Sequence, residues 1–216
     1  MDTNPHLYNE NLSRDRYISS EYNHRTRWMS YFYQMQLIKD TKGSSVLEVG
    51  PGPGWMSRVL GDRGVAVTTV DVNPALKPDY VASVDSLPFA DDAFDVVCAF
   101  EVLEHLPFET FARNLSEMAR VARTHVIISL PDHRRTLINV SFKLPFLPTI
   151  SFFIKVPTFK KHIFNGRHYW EIGKRGYSPS RIKREIEKTG LEIQTSFVPP
   201  DASTNHYFVM KKVTNT

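Results

Sequence analysis

In Val46-Leu47-Glu48-Val49-Gly50-Pro51-Gly52-Pro53-Gly54, a run of strand character passes directly into alternating glycine and proline. Glycines at such a junction let the backbone turn tightly and approach a ligand, because no Cβ intervenes. A helix is expected from about Trp55 to Asp62, and its N-terminus offers free amides and a partial positive charge for a phosphate or carboxylate. Working outward, Val65 to Val70, Tyr80 to Ser83, Phe94 to Phe100 and Val126 to Leu130 read as further strands, with a helix from Phe108 to Ala122. Runs that are apolar on both faces and alternate with helices predict a mostly parallel sheet covered on both sides, a Rossmann-like α/β fold. Upstream, Trp28, Phe32, Met35 and Ile38 recur at helical steps and predict one apolar face of a helix over 23–39. Downstream, Ser178-Pro179 starts a helix, and Leu191 to Val198 and Tyr207 to Val213 read as strands. The link between those two is too short for a crossover, so the last strand is expected to be antiparallel.

Asp71 ends the second strand, 21 residues after Gly50. In open α/β sheets that position borders the ligand crevice, where a carboxylate accepts both hydroxyls of a ribose. Asp85, ahead of Leu87-Pro88-Phe89, stands where a carboxylate can accept from an adenine amino group. Each feature alone is also compatible with a plain tight turn, a solvated turn residue or a helix cap. Their joint order and spacing favour a nucleoside site. The dinucleotide fingerprint requires Gly-x-Gly-x-x-Gly, whereas here the third glycine is Gly54 and the next position is Trp55, which opposes an NAD-dependent oxidoreductase.

At these residues the sequence resembles the class I S-adenosylmethionine-dependent methyltransferases, and more narrowly the methyltransferase type 11 group. Glu48 to Gly54 matches the first motif of that family and Asp71 the acidic residue of the second. Asp85-Ser86-Leu87-Pro88-Phe89 with Asp91 to Val97, and Glu101-Val102-Leu103-Glu104-His105-Leu106, match the segments that follow. The resemblance runs from about Ser45 to Leu130 and resumes more weakly from Ser178. It implies S-adenosyl-L-methionine as cofactor. Glu48, Gly50, Gly52 and Gly54 would hold its methionine part and Asp71 its ribose. Val72, Asp85 and Ser86 would hold its adenine, and Phe100 and Glu101 would lie near the transferred methyl. The implied reaction is methyl transfer to a small, partly apolar or amphiphilic acceptor. The alternatives are a non-catalytic protein that keeps the cofactor site and the oxidoreductase already weighed.

A general base is needed only if the acceptor must lose a proton. Glu101 and His105 are four apart at what reads as a helix start, so both would share a face, although His105 also suits a packing or capping role. Tyr17, Tyr22 and His24 in the N-terminal arm are candidates to close over the cofactor. His168, within Arg167-His168-Tyr169-Trp170-Glu171, is a candidate for substrate contact. No metal site is expected, because only the acids Glu101 and Asp132 stand near the ends of strands four and five, which is poor for magnesium.

The pattern is lost over 131–177, so the expected division is an arm and cover helix over 1–44, a core over 45–130 and 178–216, and an inserted lid over 131–177. That insertion holds nine Lys or Arg against Asp132 and Glu171, a net of +7 in a chain whose total is +4. It also holds six of the fourteen Phe. A cationic, apolar lid over an amphiphilic or anionic substrate is the preferred reading. Peripheral membrane or lipid contact through 137–161 and a homodimer contact are the alternatives, with the chain otherwise monomeric. Nucleic acid is disfavoured, since no RNA-binding module is attached. The window 137–156 carries two Lys and two Pro, which excludes an ordinary membrane span. The first twenty residues lack an apolar run, and Cys98 is the only cysteine, so a reducing, cytoplasmic setting is expected.

Overall fold

The computed structural model describes residues 17, 19, 22–146, 150–164 and 166–213. In chain order these form α1 (Arg25–Thr41), β1 (Ser45–Val49), α2 (Trp55–Gly61), β2 (Ala66–Asp71), β3 (Tyr80–Val81), β4 (Phe94–Phe100), α3 (Phe111–Val121) and β5 (Ala122–Pro131). There follow β6 (Arg135–Phe142), β7 (Ile150–Val156), α4 (Pro179–Glu187), β8 (Leu191–Phe197) and β9 (Asn205–Lys212). Seven strands make one sheet in the order β3-β2-β1-β4-β5-β9-β8. The pairs from β3 to β5 are parallel, while β9 runs antiparallel to both β5 and β8. This is the Rossmann-like sheet expected from the alternating pattern, with its antiparallel last strand.

Period-two alternation divides the strand residues between the sheet's two faces. Val46, Val96, Cys98 and Ile127 pack with Ile38 of α1 and Met56 and Leu60 of α2. Leu47, Val97 and Ile128 pack on the other face with Leu115 and Met118 of α3 and Ile182 of α4. The strand order reverses between β1 and β4, so β2 and β3 extend to one side and β5 to the other. The loops after β1 and β4 diverge there and leave a crevice at the carboxyl ends of the strands.

Two expectations about helices need correction. α1 forms, but its buried face is Ser30, Gln34 and Ile38, while Trp28 and Phe32 are 47% and 51% exposed. The two buried polar side chains are satisfied: Ser30 Oγ lies 2.9 Å from Tyr207 Oη, and Gln34 Nε2 donates to Ser30 Oγ at 3.0 Å. Burial of hydrogen-bonded polar groups outcompeted the apolar stripe. Second, Glu101 and His105 do not share an α-helical face. Glu101 has a left-handed backbone (φ 57°), and Leu103–His105 is a short 3-10 turn.

Within 131–177 the structure contains an antiparallel hairpin, β6–β7, which the lost periodicity did not predict. Every residue of β6 is exposed. Asn139 Nδ2 donates to Pro200 O at 2.9 Å, and Lys155 Nζ bonds Ser203 O and, at 3.1 Å, Asp132 O. The C-terminal part of the same segment belongs to the core. Trp170 and Ile172 are fully buried, and the Trp170 indole donates to Leu106 O at 3.1 Å.

Candidate active site

A cavity of about 310 Å³ opens at the crevice. Its floor is the turn after β1. Gly50 N–H donates to Val70 O at 2.8 Å, and a Cβ added at Gly50 would stand 2.5 Å from Val102 Cγ2. Gly50, Gly52 and Gly54 all have left-handed φ values between 54° and 73°. The alternating glycines are thus required by backbone conformation, and at Gly50 by close approach as well. The helix that follows, α2, is only seven residues long.

Glu48, Gly50, Gly52, Asp71, Val72, Phe100, Glu101, His105 and His168 all line the cavity, as does Tyr17 with Tyr22 from the arm. Tyr17 stands 3.7 Å from the Cβ position of Gly52 and packs edge-on against Tyr22. Gly54, Asp85, Ser86 and His24 do not line it; the wall after β3 comes from Ala82, Ser83 and Val84 instead. From 131–177, Arg167 and His168 reach the cavity, and the hairpin does not.

Four carboxylates face this space under different constraints. Glu48 is buried, with Oε2 lacking a hydrogen-bond partner among the described residues, and burial beside Asp71 pushes its pKa up to about 8. Burial also raises Asp71 to about 6, opposed by the backbone amides of Asn73 (2.9 Å) and Val72. Glu101 accepts from Ser129 Oγ at 3.1 Å; burial pushes its pKa up, and Arg27 and His168 oppose that. Glu104 is fully buried, with neither carboxylate oxygen partnered among the described residues. Burial, reinforced by the charge of Glu101, holds it well above the ordinary range. Sequence reasoning quoted Glu104 as part of a motif without assigning it a role. Its spacing from Glu101 was visible, but the left-handed turn that brings both carboxylates to one cavity was not.

His105 Nδ1 donates to Arg167 O at 3.0 Å, and burial followed by the neighbouring His168 lowers its pKa to about 4, so this imidazole is neutral. His168 Nδ1 lies 2.9 Å from Glu171 Oε1, and the two imidazole rings meet edge to face at 5.0 Å. Tyr169 N–H donates to Glu104 O at 2.8 Å and stitches the two segments together. Asp132, the other acid near the strand ends, lies outside the cavity, is ion-paired with Arg134 (2.6 Å) and Lys155 (3.1 Å), and has the His206 ring at 3.3 Å.

Residues 22–196 match the family model described as a methyltransferase domain. An uncharacterized methyltransferase of Mycobacterium tuberculosis (strain ATCC 25177 / H37Ra) is 35% identical over 77 residues, 30% of each chain. One from Mycobacterium leprae (strain Br4923) is 29% identical over 147 residues, 55% of this chain and 54% of that one. The matches thus span between about a third and about half of the length of these curated relatives. Among solved structures, magnesium protoporphyrin IX methyltransferase from Synechocystis PCC 6803 with bound S-adenosylmethionine superposes with a TM-score of 0.65 at 15% identity, covering 96% of this chain and 95% of that one. The Burkholderia thailandensis 1,6-didemethyltoxoflavin-N1-methyltransferase, solved with its substrate and S-adenosylhomocysteine, superposes at 0.59 with 17% identity over 97% and 91%. At these identities the likeness is one of fold.

Proposed function

The chain belongs to the methyltransferase-domain family, with the class I S-adenosylmethionine-dependent fold, and from that premise we propose that it transfers a methyl group from S-adenosyl-L-methionine to a small, partly apolar or amphiphilic acceptor. The observation that carries this reading is the single cavity that joins the glycine turn, Asp71 and the Glu101–His105–His168 group.

The residues present suit the cofactor. The unpartnered Glu48 Oε2 and the Cβ-free approach at Gly50 and Gly52 match the amino-acid end, and Asp71 matches the ribose hydroxyls. Val72 with Ala82 to Val84 provides the adenine wall in our reading, in place of Asp85 and Ser86, which do not line the cavity. The cofactor supplies an electrophilic methyl on a sulfonium; the protein contributes placement and electrostatics. Tyr17 and Tyr22 close one side against water. Neutral His105 is able to accept a proton from an acceptor hydroxyl or amine, and Glu101 and His168 orient the acceptor beside it. Orientation of this kind is worth roughly 7–11 kcal/mol in favourable cases.

The hairpin supports peripheral contact with a membrane, through which an amphiphilic acceptor would arrive. Leu137, Val140, Phe142, Phe152 and Ile154 are exposed on it. The 131–177 segment is also strongly basic, which suits an anionic surface. Among the described residues no helix is long and apolar enough to cross a membrane. Co-sedimentation with vesicles containing phosphatidylserine, lost on Leu137→Ser/Phe152→Ser, is the expected result. A dimer by light scattering with no vesicle binding would assign the same surface to self-association.

Calorimetry with S-adenosylhomocysteine and with NAD tests the core of the proposal. Binding of the first and not the second is expected, and the reverse would overturn it. Tight binding with no turnover over a panel of O-, N- and C-acceptors would favour the non-catalytic reading.

A further inference from the structure

Glu104, His105 and His168 each place one donor atom such that all three lie within 4.8 Å of one another. In a tetrahedral shell with bonds of about 2.0–2.2 Å the donors stand roughly 3.3–3.6 Å apart, so a pair near the 4.8 Å limit must close by about an ångström through side-chain rotation to complete the shell. We propose that these three residues bind a divalent first-row transition-metal ion at the acceptor end of the cavity.

Three independent features support the site. Both imidazoles are held by their Nδ1 atoms, His105 on the Arg167 carbonyl and His168 on the Glu171 carboxylate. At His105 the carbonyl can only accept, so Nδ1 is the protonated nitrogen. Metal-bound histidines are almost always anchored in this way, by a carbonyl or carboxylate on the other nitrogen. Glu171 is itself set among His133, His162 and Lys174, which fixes its charge and position.

Glu104 is the second feature. A carboxylate with no exposure and two unpartnered oxygens is costly to leave as it stands. The molecule shows what a compensated buried acid looks like in Asp132, with its three cationic or imidazole partners. Glu104 has no ion pair among the described residues, and the charge of Arg27 acts on both it and Glu101. A dication between the imidazoles would satisfy Glu104 and offset the like charge of Glu101.

Backbone strain is the third. Glu101 adopts a left-handed conformation without being glycine, which costs of the order of 1–3 kcal/mol and persists where the surroundings over-determine it. That turn directs the following residues so that Glu104 and His105 both reach the cavity. Tyr169 N–H on Glu104 O then fixes the segment carrying His168 against them.

Two imidazole nitrogens and one carboxylate favour Zn2+, Co2+, Mn2+ or Fe2+ over Mg2+, which prefers an all-oxygen shell. Three protein ligands leave positions open for an oxygen of the acceptor. Cofactor binding does not depend on this site, but His105 serves either as ligand or as proton acceptor, so with the ion bound it is no longer the base; the role given to the open positions rests on the methyl-transfer reading.

The test uses the full chain, stripped with a chelator and dialysed. Addition of Co2+ should give d–d absorption bands saturating at one equivalent, and Zn2+ should displace them. Glu104→Gln and His168→Asn should each weaken Co2+ binding at least tenfold while retaining S-adenosylhomocysteine binding, which reports that the cavity is folded. No saturable Co2+ band in the wild-type chain, unchanged affinity in both variants, or Mg2+ binding as tightly as Zn2+ would overturn the site. S-adenosylhomocysteine binding without metal binding would remove the metal and leave the methyltransferase reading in place. Metal binding without S-adenosylhomocysteine binding would do the opposite.

Discussion

Gly50 is constrained twice, by a φ of 72° and by Val102 at 2.5 Å from its missing Cβ. Gly50→Ala is therefore expected to destabilise the fold by about 1–3 kcal/mol and to weaken S-adenosylhomocysteine binding; a Tm unchanged by thermal melting would contradict the close approach. Asp71 gives a pH signature. Burial raises its folded pKa to about 6, so its contribution to stability is complete below the unfolded value of about 3.9 and is lost as pH rises through 6. The carboxylate form is the one that accepts two ribose hydroxyls. Affinity for S-adenosylhomocysteine should thus rise between pH 5 and 7, and Asp71→Asn should bind at least tenfold more weakly with that rise removed. A parallel pH profile in wild type and variant, by calorimetry, would sink the ribose assignment. At this scale the motif residues were legible in sequence because backbone conformation demands glycine and strand ends present carboxylates. Glu104 was not, since its significance depends on an unusual φ at Glu101 and on a partner histidine 64 residues away.

Among the elements, strands were easier to read than α1 or the insertion. β1, β4 and β5 are buried on both faces and leave little choice of residue. In α1 the periodicity of Trp28 and Phe32 misled, because Ser30 and Gln34 are buried by specific partners that no spacing rule reveals. The hairpin was hidden for a related reason: its exposed apolar side chains on both strands give no alternation. Since it stands clear of the cavity, excising Leu137 to Ile154 and closing the chain with a short turn should change S-adenosylhomocysteine affinity less than twofold. A larger loss by calorimetry would show that the hairpin supports the cofactor site. Its base depends on Asp132, whose cationic partners hold the carboxyl well below the usual range. That stabilisation is present above the unfolded pKa of about 3.9 and lost as pH falls through the folded value. The stability advantage of wild type over Asp132→Asn, by denaturant melts, should therefore shrink as pH drops below about 4; a constant gap would mean the ion pairs do not govern it.

For the whole molecule, the net charge of +4 conceals a division, with +7 in 131–177 and a slightly acidic remainder. The basic segment is joined to the core through Trp170 and Ile172, while its hairpin projects outward. The acidic remainder gathers Glu48, Asp71, Glu101 and Glu104 around one cavity, three of them raised chiefly by burial and Glu104 by burial and by Glu101. Four carboxylates buried around one cavity are an electrostatic load on the native state, and a ligand that binds there stabilises that state by mass action. At a hundredfold excess over Kd, a ligand adds about 2.7 kcal/mol. Resistance to pulse proteolysis should accordingly rise with S-adenosylhomocysteine, and equal digestion with and without it at saturating concentration would show that it does not bind the native cavity. In a cell, a chain stabilised this way is cleared more slowly as the concentration of its ligand rises, so the amount of protein would track the supply of what it binds.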